Sequence, residues 1–311
     1  MKKILFAVLA IVFPVIVMAQ GCPVPTTVTA TVTFKHRSAS PVFSVSSNTL
    51  VLFAPGNLQY KANPVTWQFA AHQYDFIGAG NANIASDYSG WIDLFGWATS
   101  GNSASGTYYQ PYSANTGRFS YGEDSQDGGG EWNPAKSDWG QNMLPAGTWR
   151  TLSSAEWTYL FNTRTTSATI EGVSNARFTK AKILTDGSIG TDGINYNILG
   201  VILFPDNYDG TQPEGVTWAA SNINTYSYNF MGCCTCTTAG WEALEAAGCV
   251  FLPCAGSREE TTVSYPGSLG YYWSSTAYDS GEANCLYFPS NVPVTPVVRH
   301  IGCAVRLVQV Q

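Results

Sequence analysis

Beyond residue 40 the apolar residues arrive in short runs, each closed by Gly, Pro, Asn or Asp, and this punctuation excludes most architectures. "VFSVS" and "LVLFAPGNLQY" are divided by Asn48 and broken by Pro55-Gly56. "GVILFPD" (200–206), "GCVFLPC" (248–254), "GYYWSST" (270–276), "ANCLYF" (283–288) and "GCAVRLV" (302–308) have the same texture. Apolar runs of about four to eight residues between turn formers read as strands, since a helix needs a longer periodic stretch. With 30 Gly, 16 Pro, 14% aromatic and only 12% charged residues, the composition suits many short strands joined by turns and not a disordered chain.

Two segments break the pattern. Ser153-Ser154-Ala155-Glu156 is a capping box, in which a serine hydroxyl and a glutamate carboxylate satisfy each other's backbone amides. It opens "AEWTYLFNTR", which sets Trp157, Leu160 and Phe161 at helical spacing. Thr237 begins a second helix, with Trp241, Leu244 and Ala247 on one side and Gly248 as its C-cap. No fixed-period repeat accompanies them.

Lys2 and Lys3 precede an apolar run from Ile4 to Val17 that ends in Val17-Met18-Ala19, so residues 1–19 read as a secretory signal. The run is short for a bilayer span and contains Pro14, so no membrane span is expected after cleavage. Residues 20–40, Thr- and Val-rich with Pro23 and Pro25, form an extended leader, and residues 41–311 form the folded domain. Taking Lys2 and Lys3 from the 15 basic residues leaves 13 against 21 acidic, a net charge of −8. That balance argues against nucleic acid, which needs clustered Lys and Arg to replace counterions. Residues 103–140 are mostly Gly, Ser, Asn, Asp and aromatics, a stretch too long for a mere connection.

The eight cysteines of an exported chain point to disulfides. Cys233, Cys234, Cys236, Cys249, Cys254, Cys285 and Cys303, with Cys22, are an even set whose pairing the sequence leaves open among 105 possibilities. "GCCTC" lacks the paired spacing and nearby His of a zinc site. Cys249 and Cys254 sit at an odd offset on a strand, which points them to opposite faces and away from each other. Asp206, Asn207 and Asp209 in "PDNYDG" place oxygens as a calcium loop would, but no acidic residue closes the shell, so an Asx-capped turn is the favoured reading and calcium the alternative. Asp124, Asp127 and Glu131 form a local acidic cluster among glycines, read first as a solvated loop. His36, His72 and His300 are too scattered for a triad, and no nucleophile elbow, phosphate loop or dinucleotide fingerprint appears. No catalytic or metal site is assigned.

Taken together, "LVLFAPGNLQY", "WQFAAHQYDFIG", "GWIDLFGWATSG", "WRTLSSAEWTYLFNTR", "WEALEAAGCVFLPCAGSRE", "GYYWSST" and "AVRLV" resemble a large group of exported Bacteroidetes proteins related to the Fibrobacter succinogenes major paralogous domain. That group is similar to the C-type-lectin-like fold, shared with sulfatase-modifying enzymes and the variable proteins of diversity-generating retroelements. The resemblance covers roughly residues 41–311. It implies an α+β domain of small, mainly antiparallel sheets, two flanking helices, long loops on one face, and N- and C-terminal strands that meet. The copper-binding cysteine pair of the sulfatase-modifying enzymes has only a loose counterpart in Cys249 and Cys254, whose surroundings differ, so oxidase chemistry is a remote alternative.

The most aromatic segment is "GYYWSSTAYDSGEANCLYF", two strand candidates around an Asp-Ser-Gly turn. Alternation puts Tyr271 with Trp273 on one face and Tyr272 with Ser274 on the other. Trp273 is expected in the core and Tyr272 on the ligand side. In the variable proteins this C-terminal segment carries the ligand contacts, which by resemblance nominates Tyr278, Asp279, Ser280, Glu282, Asn284, Asn291 and His300. The expected function is a non-enzymatic, exported module that binds a carbohydrate or a surface protein outside a Gram-negative cell. A structural or pilus-associated subunit is the alternative.

Overall fold

The long run Asn195–Leu203 has no polar side after residue 197, as a strand covered on both faces requires. A computed structural model describes residues 41–83, 85, 87–100, 132–135, 137–145, 147–189, 195–227, 230–290 and 292–311, side chains 186–189 and 195–196 excepted. Asn195–Leu203 lies within a five-stranded sheet in the order Val216–Thr217, Cys234–Thr237, Phe178–Ile189, Asn195–Leu203, Val250–Pro253. Its neighbours are antiparallel except Cys234–Thr237 against Phe178–Ile189, which run parallel. Val201 and Leu203 enter one hydrophobic core and Ile202 and Phe204 another. Val250, Leu252 and Cys254 join the first core, while Cys249 and Phe251 join the second. The odd offset therefore does send Cys249 and Cys254 to opposite sides of the sheet.

The second core is roofed by the helix Thr238–Ala246 (α2), whose Trp241 and Leu244 are buried. Thr237 caps it by accepting from Gly240 N at 3.1 Å. Gly248 follows with φ +94°, and a Cβ there would lie 2.0 Å from Pro41, so only glycine fits this exit. Ala247, expected on the apolar stripe, is exposed at the C-cap, where its N–H still donates to Ala243 O before the chain turns at Gly248. The first core is closed by the helix Ser154–Asn162 (α1), with Trp157, Leu160 and Phe161 buried as the spacing predicts. Its capping box is complete: Ser153 Oγ accepts from Glu156 N at 3.2 Å, and Glu156 accepts from Ser153 N at 2.8 Å.

The C-terminus returns to the start of the domain. Val308–Val310 pairs antiparallel with both Leu50–Phe53 and Trp149–Arg150, in the sheet order Phe43–Ser44, Leu50–Phe53, Val308–Val310, Trp149–Arg150. The expected strand over 302–308 is not continuous. Gly302, Cys303 and Ala304 each make a single bridge to a different segment, at Arg258, Phe95 and Tyr272, so no ladder forms before Val308. Alternation still holds: Ala304 and Val308 face the first core, and Cys303, Val305 and Leu307 face a third core with Trp97, Trp139 and Trp273. The described domain is thus a mixed α+β unit of small, mainly antiparallel sheets with two helices, stacked as three apolar layers separated by sheet.

No disulfide joins the described cysteines, contrary to the expectation for Cys233, Cys234, Cys236, Cys249, Cys254, Cys285 and Cys303. The six other than Cys233 are buried among apolar side chains, where they fill core volume. The Sγ atoms of Cys234 and Cys236 lie 3.8 Å apart, against about 2.05 Å for a bond. Residues 1–40, Cys22, Asp124, Asp127 and Glu131 lie outside the described residues. Among the described residues no helix is long and apolar enough to cross a membrane.

Candidate functional site

The aromatic hairpin comprises Gly270–Ala277 and Glu282–Phe288, joined to Val294–Val298 in a three-stranded sheet. Its first strand corrects the expectation that one face would be open. Tyr272 is fully buried in the first core and Trp273 in the third. The Tyr272 hydroxyl donates to Pro253 O at 2.7 Å, accepts from Asn57 Nδ2 at 3.2 Å, and its ring stacks on Phe288. Tyr272 is therefore a core residue and not a ligand contact. Alternation identified two faces correctly but could not show that apolar layers cover both.

Past Trp273 the register slips, so that the next aligned pair is Ala277 with Ala283. The slip frees Ser275 N to reach Leu152 O at 2.9 Å and Thr276 Oγ1 to accept from Ser154 N at 3.0 Å, which docks the bulge on the start of α1. Asn284 fills this bulge, its Nδ2 donating to Ala277 O at 3.3 Å. Asn284 is half-buried, with its amide nitrogen engaged within the hairpin.

What remains exposed is the tip. Tyr278 is 60% exposed, and Asp279 and Ser280 stand beside it. Asp279 Oδ1 accepts from Gly281 N and Glu282 N, both at 2.8 Å, an Asx-type closure that fixes the turn. Tyr278 N and Asp279 N donate to Glu282 O at 2.9 and 3.2 Å. Beneath the tip lies Arg299, almost wholly buried, which donates to Glu282 O at 3.2 Å and to Asp279 O. Its guanidinium stacks over the Trp97 ring, 4.5 Å from the centroid. Trp97 lies 5.4 Å from half-buried Trp132, and Trp132 lies 5.7 Å from Trp139. An arginine seated on a row of indoles thus holds the backbone of a tip that displays one ring, one carboxylate and one hydroxyl.

Arg299 and Trp97 were missed by sequence reasoning. The signal available was an arginine inside the apolar run "PVVRHIG", where a buried cation needs partners. His300 does not join the tip; its Nε2 lies 3.5 Å from Glu259 Oε1, on a separate hairpin formed by Ser257–Glu259 and Thr262–Ser264. Asn291 lies outside the described residues. The nominated set therefore resolves into Tyr278, Asp279, Ser280 and Glu282 at one tip, with Tyr272, Asn284 and His300 elsewhere.

The calcium alternative meets a competing use of its ligands. Asp206 pairs with buried Arg164 at 2.9 Å and accepts from Ser44 N at 2.8 Å, while Asp209 Oδ1 accepts from Thr211 N at 2.8 Å, an Asx turn. No group of three or more His, Cys, Asp or Glu able to hold a metal occurs among the described residues. Cys249 and Cys254, buried on opposite faces of the sheet, do not converge as a metal-binding or redox pair would. No family model, curated protein or solved structure matches the chain.

Proposed function

We propose that this chain is an exported, non-enzymatic binding module of the lectin-like kind, which presents the 277–282 tip to a carbohydrate or protein ligand at the cell surface. The observation that carries the reading is the contrast within one hairpin: Tyr278 is 60% exposed while the backbone beneath it is clamped by buried Arg299. A rigid display of an aromatic ring with hydroxyl and carboxylate neighbours is what recognition surfaces use, because ordering is completed before the ligand arrives. The C-type-lectin-like identity of the fold belongs to the same proposal. It is supported by the meeting of the terminal strands, the two flanking helices and the three-stranded C-terminal sheet.

A glycan and surface-protein binding screen of the secreted chain, with and without EDTA, tests the reading. Binding that falls at least about tenfold in Tyr278→Ala, with an unchanged melting temperature, is expected. Ligand binding indifferent to every substitution at 278–280 would leave the tip without a recognition role and favour a structural subunit.

A further inference from the structure

A second candidate site lies away from the tip, where the segment 72–78 crosses the edge of the five-stranded sheet. An open groove of about 470 Å³ is lined by Tyr74, Asp75, Phe76, Asn197, Pro266 and Gly267. That volume falls in the roughly 300–1,000 Å³ range of small-ligand sites.

The groove is built from both ends. Gln73 is buried, donating from Nε2 to Cys249 O at 3.3 Å and accepting from Phe251 N at 2.9 Å; Arg306 donates to its backbone oxygen at 3.0 Å. At the other end Ile77 N donates to buried Asp93 at 2.9 Å. Three residues are held between these anchors: Tyr74 rests on the second core, Phe76 on the first, and Asp75 stands between them. The facing wall is equally fixed, since Gly267, at φ +75°, donates to Cys254 O at 2.7 Å. Gly78 and Gly267 leave the edge of the Phe76 ring uncovered, where a Cβ would stand 3.6 and 4.0 Å from it.

Two rings, one carboxylate and one carboxamide around an open cleft form the chemistry that holds a pyranose: rings cover its C–H face and the polar pair engages its hydroxyls. Exposed Asn197 makes no side-chain hydrogen bond among the described residues, so its amide is unspent. Among the described residues no Lys, Arg or His lines the groove; His72 stacks on the Tyr74 ring, centroids 5.1 Å apart, and its backbone N–H donates to Asp75 Oδ2 at 2.9 Å. Burial, and then the negative charges of Asp75, Glu242 and Glu245, push the Tyr74 hydroxyl above its usual range, which places acidic groups around this rim. A uronate or sialic acid would meet that field as a like charge.

We infer that this groove is a saccharide-binding site selective for neutral sugars over anionic ones, distinct from the hairpin tip and independent of the reading given for it. The test uses the full secreted chain with cellobiose, chitobiose, maltose, lactose and mannobiose as neutral probes and sialyllactose as the anionic one. Saturation-transfer NMR finds binders, and calorimetry measures them. At least one neutral disaccharide is expected to bind, with sialyllactose about tenfold or more weaker. Tyr74→Ala and Asn197→Ala are each expected to weaken that binding about tenfold or more, while Leu144→Ala, at a residue 86% exposed and outside both the groove and the tip, leaves it unchanged. Asn197 is exposed on its strand, so its variant remains informative if Tyr74→Ala lowers the melting temperature. No binding by any neutral probe, a preference for sialyllactose, or binding that survives both groove substitutions would overturn the inference. Sugar binding lost only in Tyr278→Ala would overturn it while supporting the tip.

Discussion

Arg306 and Gln73 meet in the interior, 233 residues apart in sequence, where the guanidinium donates to the Gln73 backbone oxygen at 3.0 Å and to its side-chain oxygen at 3.4 Å. The same guanidinium reaches Ala54 O, Phe251 O and Asn57 Oδ1. It is fully buried, and these partners are neutral oxygens of four residues drawn from three segments. Burial lowers its pKa to about 10, which still leaves it charged at neutral pH.

Replacing Arg306 with Leu should therefore destabilise the domain by about 3–5 kcal/mol, because several buried oxygens lose their donors at once. Lys should recover only part of this, since one ammonium cannot reproduce a planar fork. Urea unfolding measures both. A Leu variant as stable as the parent would show that the carbonyls find other partners.

Asp93 gives a pH signature. It is fully buried, accepting from Ile77 N and from Asn81 Nδ2 at 2.8 Å, and burial raises its carboxyl from 3.8 to about 6 despite those bonds. A raised acid binds its proton more tightly when folded, so this contribution is fully present below pH 3.8 and is lost as pH rises towards 6. Integrated, the change is on the order of 3 kcal/mol. Asp93→Asn should remove this part of the slope between pH 4 and 6, read from denaturation midpoints across that window. An unchanged slope would place the titration elsewhere.

One hairpin should yield two opposite mutational responses. Tyr272→Ala is expected to cost about 3–5 kcal/mol, by opening a cavity between buried rings. Tyr272→Phe should cost about 1–3 kcal/mol for the stranded Pro253 oxygen. Tyr278→Ala should stay within about 0.5 kcal/mol of the parent. Thermal unfolding of the three variants decides the matter, and comparable losses at 272 and 278 would contradict the layered packing.

Thiol accessibility follows the layers as well. Cys233 is partly exposed, whereas Cys249, Cys254 and Cys303 are buried in surroundings that push their thiols well above the usual range. Alkylation of the native domain should label Cys233 first and the six buried cysteines only on unfolding, as mapped by peptide mass spectrometry. Rapid native labelling of Cys254 or Cys285 would be incompatible with this core.

The elements of the fold were legible where chemistry is local. The Ser153–Glu156 box, the α2 cap at Thr237, the Asp209 turn and the strand alternation separating Cys249 from Cys254 all depend on neighbours in sequence. The return of Val308 to Phe53 came through resemblance rather than spacing. The site was less legible, because exposure depends on what arrives from far away: Tyr272 looks like Tyr278 in sequence, and only the approach of Pro253, Asn57 and Phe288 separates them. Arg299 was hidden for the same reason, since the partners that seat it under the tip include the backbone oxygens of Asp279 and Glu282 and the Trp97 ring, which leave no charge pattern. The 72–78 segment carries its two rings visibly in the sequence, but its groove exists only because Asn197 and Pro266 come up opposite it.

The seating of Tyr272 and Trp273 in separate cores bears on how this scaffold can change over generations. Variation from residue 271 to 275 must satisfy two packings simultaneously, so few replacements there will be accepted. Residues 278–280 answer to neither core, and a library randomised there should yield mostly folded clones. The boundary between heritable constraint and freedom thus falls within a few residues of one strand, at the bulge that rests on α1.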